Sequence, residues 1–401
     1  MLSYHPSDIA EWPISQQELQ KNYDFLIKTL NIQSTKNNNL NKEFRFNSSK
    51  DSALRKYVRD KQTNFILKEL NFNKKSLNKN NIFFGETNLS LVPNVDCLKC
   101  GFCFYGCPNN LIFNSKYLLK KLKKNKKFNY IPYSKVINFK EIKNKVILNL
   151  INVKNKKMFK DECDYLFLTN GTFNIIDLLK NSKVINQRIN IYQSQQFIFF
   201  GKIRNFKEKI SNQINTMAKI NLDFKKKDIS NNFIHIQIYP LSDILLFNSF
   251  YKINFLKKFF LKLFLIIFKK SFICIGYLPS NISSSLTIKK NIILRNKNHN
   301  EKKKINSVIN HLNKSFSKTN LIFYKIFKIM GINSSFHVGA SFPISKKREK
   351  NKSDLFGRVY NLKNTFILDS LILPKIYAST TTFTMLSNNL RIIDKIYDKQ
   401  L

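Results

Sequence analysis

The sequence predicts an α/β fold of mixed α+β character: an incomplete nucleotide-binding-type domain with an antiparallel-sheet domain inserted into it. Three observations predict it. The run Tyr165-Leu-Phe-Leu-Thr is apolar, breaks at Asn170-Gly171 and leads into a helical pattern over 175–180, a strand–turn–helix unit of nucleotide-binding type. Residues 190–335 alternate β-rich runs (232–239, 286–294) with helical stretches (254–270, 301–330), as a mixed antiparallel sheet with covering helices does. The C-terminal segment holds a His-x-Gly turn, a strand over 365–368 and a closing helix over 384–397. The division is therefore 1–190, 191–335 and 336–401, the last completing the first domain. At 401 residues and 43% hydrophobic content the chain can bury more than one core.

The remaining elements follow in order. Pro13 ends an opening turn, Ser15 can cap, and Glu18 stands three residues on, as in a capping box. Leu19, Tyr23, Leu26 and Leu30 then recur at helical spacing. A polar stretch over 32–44 reads as a loop, 51–71 as a helix, and 114–124 as another. Short strands are expected at 134–140, 145–153 and 156–161. No internal repeat occurs.

The chain carries 69 Lys+Arg against 25 Asp+Glu, a formal net charge of +44. Such a charge attracts polyanions whatever the fold. Only nine of the 69 are Arg, the residue best suited to bidentate phosphate and base contacts. Lysine is scattered with Asn, Ile and Phe and is not gathered into one arm, so no specific nucleic-acid role is expected. The most apolar stretch, 255–275, is broken by Lys257, Lys258, Lys262, Lys269 and Lys270, too many charges for a spanning helix. It reads as a helix with one face on the core, the alternative being peripheral contact with a membrane surface. No basic-then-apolar leader opens the sequence, and cysteine usage fits a reducing, cytoplasmic compartment.

Four of the six cysteines form Cys97-x2-Cys100-x2-Cys103-x3-Cys107-Pro108, within a loop at 97–108. This is the spacing of a bacterial-type ferredoxin half-site, and an iron–sulfur cluster is the first expectation. A structural zinc site or a thiol-rich loop without metal are the alternatives. Cys163 and Cys274 sit in apolar surroundings and read as inert core thiols.

Among five histidines only His337 stands beside a small-residue turn, where Gly339 lets a large ligand approach. His235 alternates in a strand, the usual setting of a satisfied structural histidine.

Four separated segments, in order, resemble the glucose–methanol–choline (GMC) oxidoreductase family: Trp12-Pro-Ile-Ser15 with Leu19 and Tyr23; 164–179 with its Asn170-Gly171 bend; His337-Val-Gly-Ala-Ser341; and Gly357-Arg358, Asp369-Ser370, Pro374, Thr382-Phe-Thr384 and Arg391-Ile-Ile-Asp394. The resemblance implies oxidation of a CH–OH group, in an alcohol or sugar, by hydride transfer to FAD. It implies His337 as the base, and it puts the base's partner near Thr380, where a hydroxyl replaces the family's His or Asn. It further implies that Gly171, Asp369, Ser370 and Thr382 lie against FAD, with Val136 where the backbone meets the adenine. An iron–sulfur cluster in the cysteine loop would give electrons an exit and make the protein a dehydrogenase.

One part of the family pattern is missing. No three of the nine glycines make the G-x-G-x-x-G fingerprint that holds a dinucleotide pyrophosphate. The expectation is a chain without its N-terminal nucleotide-binding segment, paired with a separately encoded FAD-binding chain. The rival expectations are a truncated, non-catalytic remnant and a basic iron–sulfur protein acting on nucleic acid.

Overall fold

The structure is a computed structural model describing residues 1–35, 38–46, 59–92, 95–186, 188–207, 215–241, 270–289, 292–331, 337–347, 349–359 and 362–398. Its first helix, Gln16–Thr29, starts where its caps dictate. The Ser15 hydroxyl accepts the Glu18 amide at 3.2 Å, and the Glu18 carboxylate accepts the Ser15 amide at 2.9 Å. Leu19, Tyr23 and Leu26 are buried at helical spacing, and Tyr23 stacks on Phe383 of the closing helix, Thr381–Asp398, at 4.7 Å. Both ends of the chain thus share one core.

Within that core the strands Ser134–Ile142, Lys145–Asn152 and Met158–Cys163 form an antiparallel meander. The chain then enters Leu166–Leu168, which pairs in parallel with Thr365–Ile367. This pairing across two hundred residues of sequence is what rejoins the C-terminal segment to the nucleotide-binding-type unit. The other edge of Leu166–Leu168 has no strand partner among the described residues, and Phe167 is 38% exposed.

The second core lies under a six-stranded sheet, antiparallel throughout, in the order Leu321–Ile329, Gln196–Ile203, Ser271–Tyr277, Ser230–Pro240, Ile220–Lys226, Ile82–Glu86. Alternate residues (Phe197 and Phe199, Leu222 and Phe224, Ile234 and Ile236, Phe272 and Cys274) are buried with apolar residues of the helices Lys61–Phe72 and Glu301–Ser315. Gly201 stands opposite Phe272, and Gly276 opposite Phe197. A Cβ there would come within 2.3 Å and 2.2 Å of those rings, so each glycine is the floor on which an aromatic lies.

Several sequence expectations are corrected here. The helix expected over 301–330 ends at Ser315, and Leu321–Ile329 is an edge strand paired with Gln196–Ile203. Its β-branched and aromatic content (Ile322, Phe323, Tyr324, Ile326, Phe327) suits a strand, and a turn over 316–320 separates it from the helix. The run 286–294 is a hairpin, Ser285–Lys289 with Ile292–Asn296. The helix expected over 51–71 is described only from Lys61, capped by Asp60; the stretch 254–270 lies outside the described residues except Lys270. The two cores also interleave more than the division at 190 and 335 implies. Lys61–Phe72 and Ile82–Glu86 belong to the large sheet's core, whereas Ile189–Gln193 and Ser285–Lys289 pack in the first. No described helix is long and apolar enough to cross a membrane.

Candidate functional site

The chain turns into the helix Thr172–Asn181 at Gly171, with φ +88° and no side-chain cap on the helix. The first amides of this ten-residue helix are therefore left to an anion, which the helix dipole favours. Asp369 stands beside that turn. Its carboxylate accepts from the Thr172 hydroxyl and the Leu371 amide, both at 3.1 Å, and burial raises its pKa above the ordinary carboxylate value. Next in sequence, the Ser370 hydroxyl donates to the Val338 carbonyl at 2.6 Å, and the Ser370 carbonyl accepts the Ala340 amide at 2.9 Å.

These bonds lock the His337-Val-Gly turn onto the Asp-Ser step. The result is a cleft of about 340 Å³ lined by Gly171, Val338, Asp369, Ser370, Thr381 and Thr382. Every residue that the resemblance put against FAD lines this cleft except Val136. Val136 lines an adjoining cleft of about 920 Å³, which shares Phe173 and Asn174 with the first. The two clefts share residues of the first turn of the helix Thr172–Asn181, and the glycine fingerprint that cradles a dinucleotide pyrophosphate is absent from this sequence.

Val338 lines the smaller cleft, while His337, the residue before it, packs on the large sheet and lines neither cleft. The His337 carbonyl accepts the Ser194 amide at 2.9 Å, and its ring stacks on Tyr277 at 5.1 Å and 25°. Nδ1 is buried without a hydrogen-bond partner among the described residues, as are Gln193 Oε1, Ser194 Oγ, Ser341 Oγ and His235 Nε2.

Burial, and secondarily His235, holds the His337 ring down at about 4, against an ordinary 6.5. The ring is therefore neutral at physiological pH. Between these values the unfolded chain binds more protons than the folded one, so this histidine's contribution to stability is complete above about 6.5 and lost as pH falls toward 4. The stability advantage of the native protein over His337→Gln should shrink across that window in urea titrations. Asp8, Asp223 and Asp369, which burial shifts the other way, are common to both proteins and cancel. A flat difference would show a solvated ring.

Thr380 does not fill the place of a partner to His337. Its hydroxyl donates to the Leu2 carbonyl and accepts the Leu2 amide, each at 3.0 Å, so its proton and one lone pair tie down the N-terminal segment. His235 stands in a strand as expected, wholly buried and paired with Asp223. Nδ1 of His235 is satisfied by Asp223, but Nε2 is not; the pairing lay in strand register, which links residues distant in sequence.

The four loop cysteines are free thiols that share one small cavity with Pro108, Leu111 and Met217. Backbone amides of Lys99, Thr216 and Leu111 point at the sulfurs of Cys97, Cys103 and Cys107, at 3.3–3.4 Å. Among the described residues, however, no three His, Cys, Asp or Glu side chains are placed to hold a metal ion. The arrangement does not fit zinc as it stands and gives an iron–sulfur cluster no support, so no step is derived through either. Cys274 is buried as expected and its thiol is pushed well up by burial, while Cys163 is half-buried at a strand end.

No family model and no curated protein matches this sequence. Among solved structures the chain is similar to pyridoxine 4-oxidase from Mesorbium loti, at 10% identity and a TM-score of 0.52, over 99% of this chain and 82% of that one. At that identity the likeness speaks for architecture alone: a mixed α/β fold similar to that of the oxidase.

Proposed function

We propose that this chain forms the substrate-activating body of an FAD-dependent oxidoreductase that oxidises a CH–OH group of an alcohol or sugar. The observation that supports it best is the His337 turn, bonded to the Asp369–Ser370 step between the smaller cleft and the large sheet. FAD, when bound, accepts hydride from the carbinol carbon. The protein's own part is to hold that carbon's hydroxyl against a neutral imidazole. A half-buried, neutral His337 can take the hydroxyl proton without first losing one of its own. The orphan oxygens of Gln193, Ser194 and Ser341 offer hydrogen bonds that orient a hydroxylated substrate. Enclosure by Tyr277 and the 338–341 turn keeps water from competing.

The missing fingerprint has a place to go. A parallel pair is normally covered and extended on both sides, and the open edge of Leu166–Leu168 lies along the larger cleft. That edge is where a strand–turn–helix from a separate nucleotide-binding chain would add. The test is co-expression with a chain encoding G-x-G-x-x-G. A yellow complex whose colour bleaches anaerobically on adding sugars or alcohols supports the reading. A folded but colourless pair, or a yellow one that no such substrate bleaches, supports the non-catalytic remnant.

A further inference from the structure

The segment 97–133 exposes side chains that a core would normally take. It is less than a tenth of the chain, yet it carries nine of the 22 large hydrophobic side chains exposed among the described residues. Leu98, Phe102, Phe104 and Tyr105 stand out on the cysteine loop, and Leu122 and Ile131 follow. Between them lies the helix Lys116–Leu122, which has Leu118, Leu119 and Leu122 on one face and buries none of its seven residues. An apolar helical stripe ordinarily packs on a core. This one does not.

The parts are held side by side. The Tyr117 hydroxyl donates to the Asn110 carbonyl at 3.3 Å and ties the helix to the cysteine loop. Lys123 Nζ stands 4.1 Å over the Tyr130 ring, and the Val153 amide donates to the Tyr133 carbonyl at 2.8 Å. Charge completes the face. Lysine is common throughout this chain, but over 97–133 there are eight, all exposed, with no Asp, Glu or Arg among them.

That composition selects a partner. Protein interfaces deplete Lys and favour Arg, and nucleic-acid sites lean on Arg forks for phosphates and base edges. Neither gives bare leucine and isoleucine beside lysine a use. A membrane interface does. There, apolar tips sink to the acyl boundary, tyrosine rings sit at headgroup level, and ammonium groups on flexible stems reach the lipid phosphates.

We propose that the 97–133 face docks the protein peripherally on a bilayer whose surface carries anionic phospholipids. The lysines are drawn by the negative surface potential, and the exposed leucine, isoleucine and aromatic side chains hold the contact once it is made. The docking needs no flavin, so it stands or falls apart from the reaction proposed above.

The test is flotation of the full chain with vesicles of phosphatidylcholine, alone or with a third of phosphatidylserine. The serine-lipid vesicles should carry the protein and the neutral ones should not. Because the whole chain is basic, two triple variants are compared, Lys120→Glu/Lys121→Glu/Lys124→Glu on this face and Lys302→Glu/Lys303→Glu/Lys318→Glu outside it. The first should partition at least about tenfold more weakly than the second. Leu122→Ser/Ile131→Ser leaves the charge alone and should also cost about tenfold, whereas simple adhesion of opposite charges would not feel it. The substituted side chains are all exposed, so the variants keep their fold. Neutral vesicles carrying the protein equally, equal losses in the two lysine variants, or full partition of the serine variant overturns the docking. So does a lysine variant of this face that keeps its vesicles but loses a single-stranded oligonucleotide, which would make the face a nucleic-acid surface.

Discussion

Replacing His337 with glutamine is expected to slow flavin reduction by about 10²–10⁴-fold, the span that general base catalysis by a positioned side chain commands. The change leaves the backbone contacts alone. The residue 337 carbonyl still accepts the Ser194 amide, and Val338 and Gly339 still pair with Gln193 and Tyr192. Glutamine fills much of the imidazole's volume and can hydrogen-bond a substrate hydroxyl, but it takes up no proton at any working pH. Affinity for the substrate should therefore change little while the rate collapses, a pattern that anaerobic stopped-flow bleaching resolves. An unaltered rate constant would remove His337 from the chemistry, and the reaction class proposed here would go with it.

Why the His337 turn stood out in the sequence, and its surroundings did not, is a matter of distance along the chain. The His337-Val-Gly turn, the Ser15–Glu18 capping box and the Asn170–Gly171 bend are local, and local signals survive in a sequence read one residue after another. The clefts needed only one long-range fact, the parallel pairing of Leu166–Leu168 with Thr365–Ile367, and four separated family-like segments supplied it. The polar row Asp223–His235–Tyr277–Gln196, which crosses four adjacent strands of the large sheet, is different in kind. Its members lie 12 residues apart at one end of the row and 81 at the other, and only the register of four strands makes them neighbours. Alternation told that His235 sat in a strand; it could not say which face was lined with polar groups. Thr380 shows the reverse error. A motif alignment gave it a catalytic position, and the Leu2 backbone, nearly the whole sequence away, had already taken its proton and one of its lone pairs.

The second large effect is expected at a residue with no side chain. Gly339→Ala should destabilise the protein by about 3 kcal/mol, the upper end for an overpacked site, and should abolish reduction of any bound flavin. A Cβ on residue 339 would stand 2.3 Å from the Ser370 carbonyl oxygen and 2.6 Å from its carbon. These are backbone atoms, themselves bonded to the Ala340 amide, and they cannot swing aside as a side-chain tip does. The turn must lift off the Asp369–Ser370 step, breaking the Ser370 hydroxyl's bond to the Val338 carbonyl. His337 rides on that turn, so the imidazole leaves its place over Tyr277 and the cleft loses its floor at the same moment. Gly331→Ala is the control, because no atom of the described residues lies within 4 Å of the added methyl group there, and it should fall within about 0.5 kcal/mol of the native protein. Urea denaturation of the two variants separates a steric lock from a general dislike of alanine. Equal stabilities would mean that the turn and the Asp–Ser step are not held together as described, and the site assembled on their contact would have no fixed geometry.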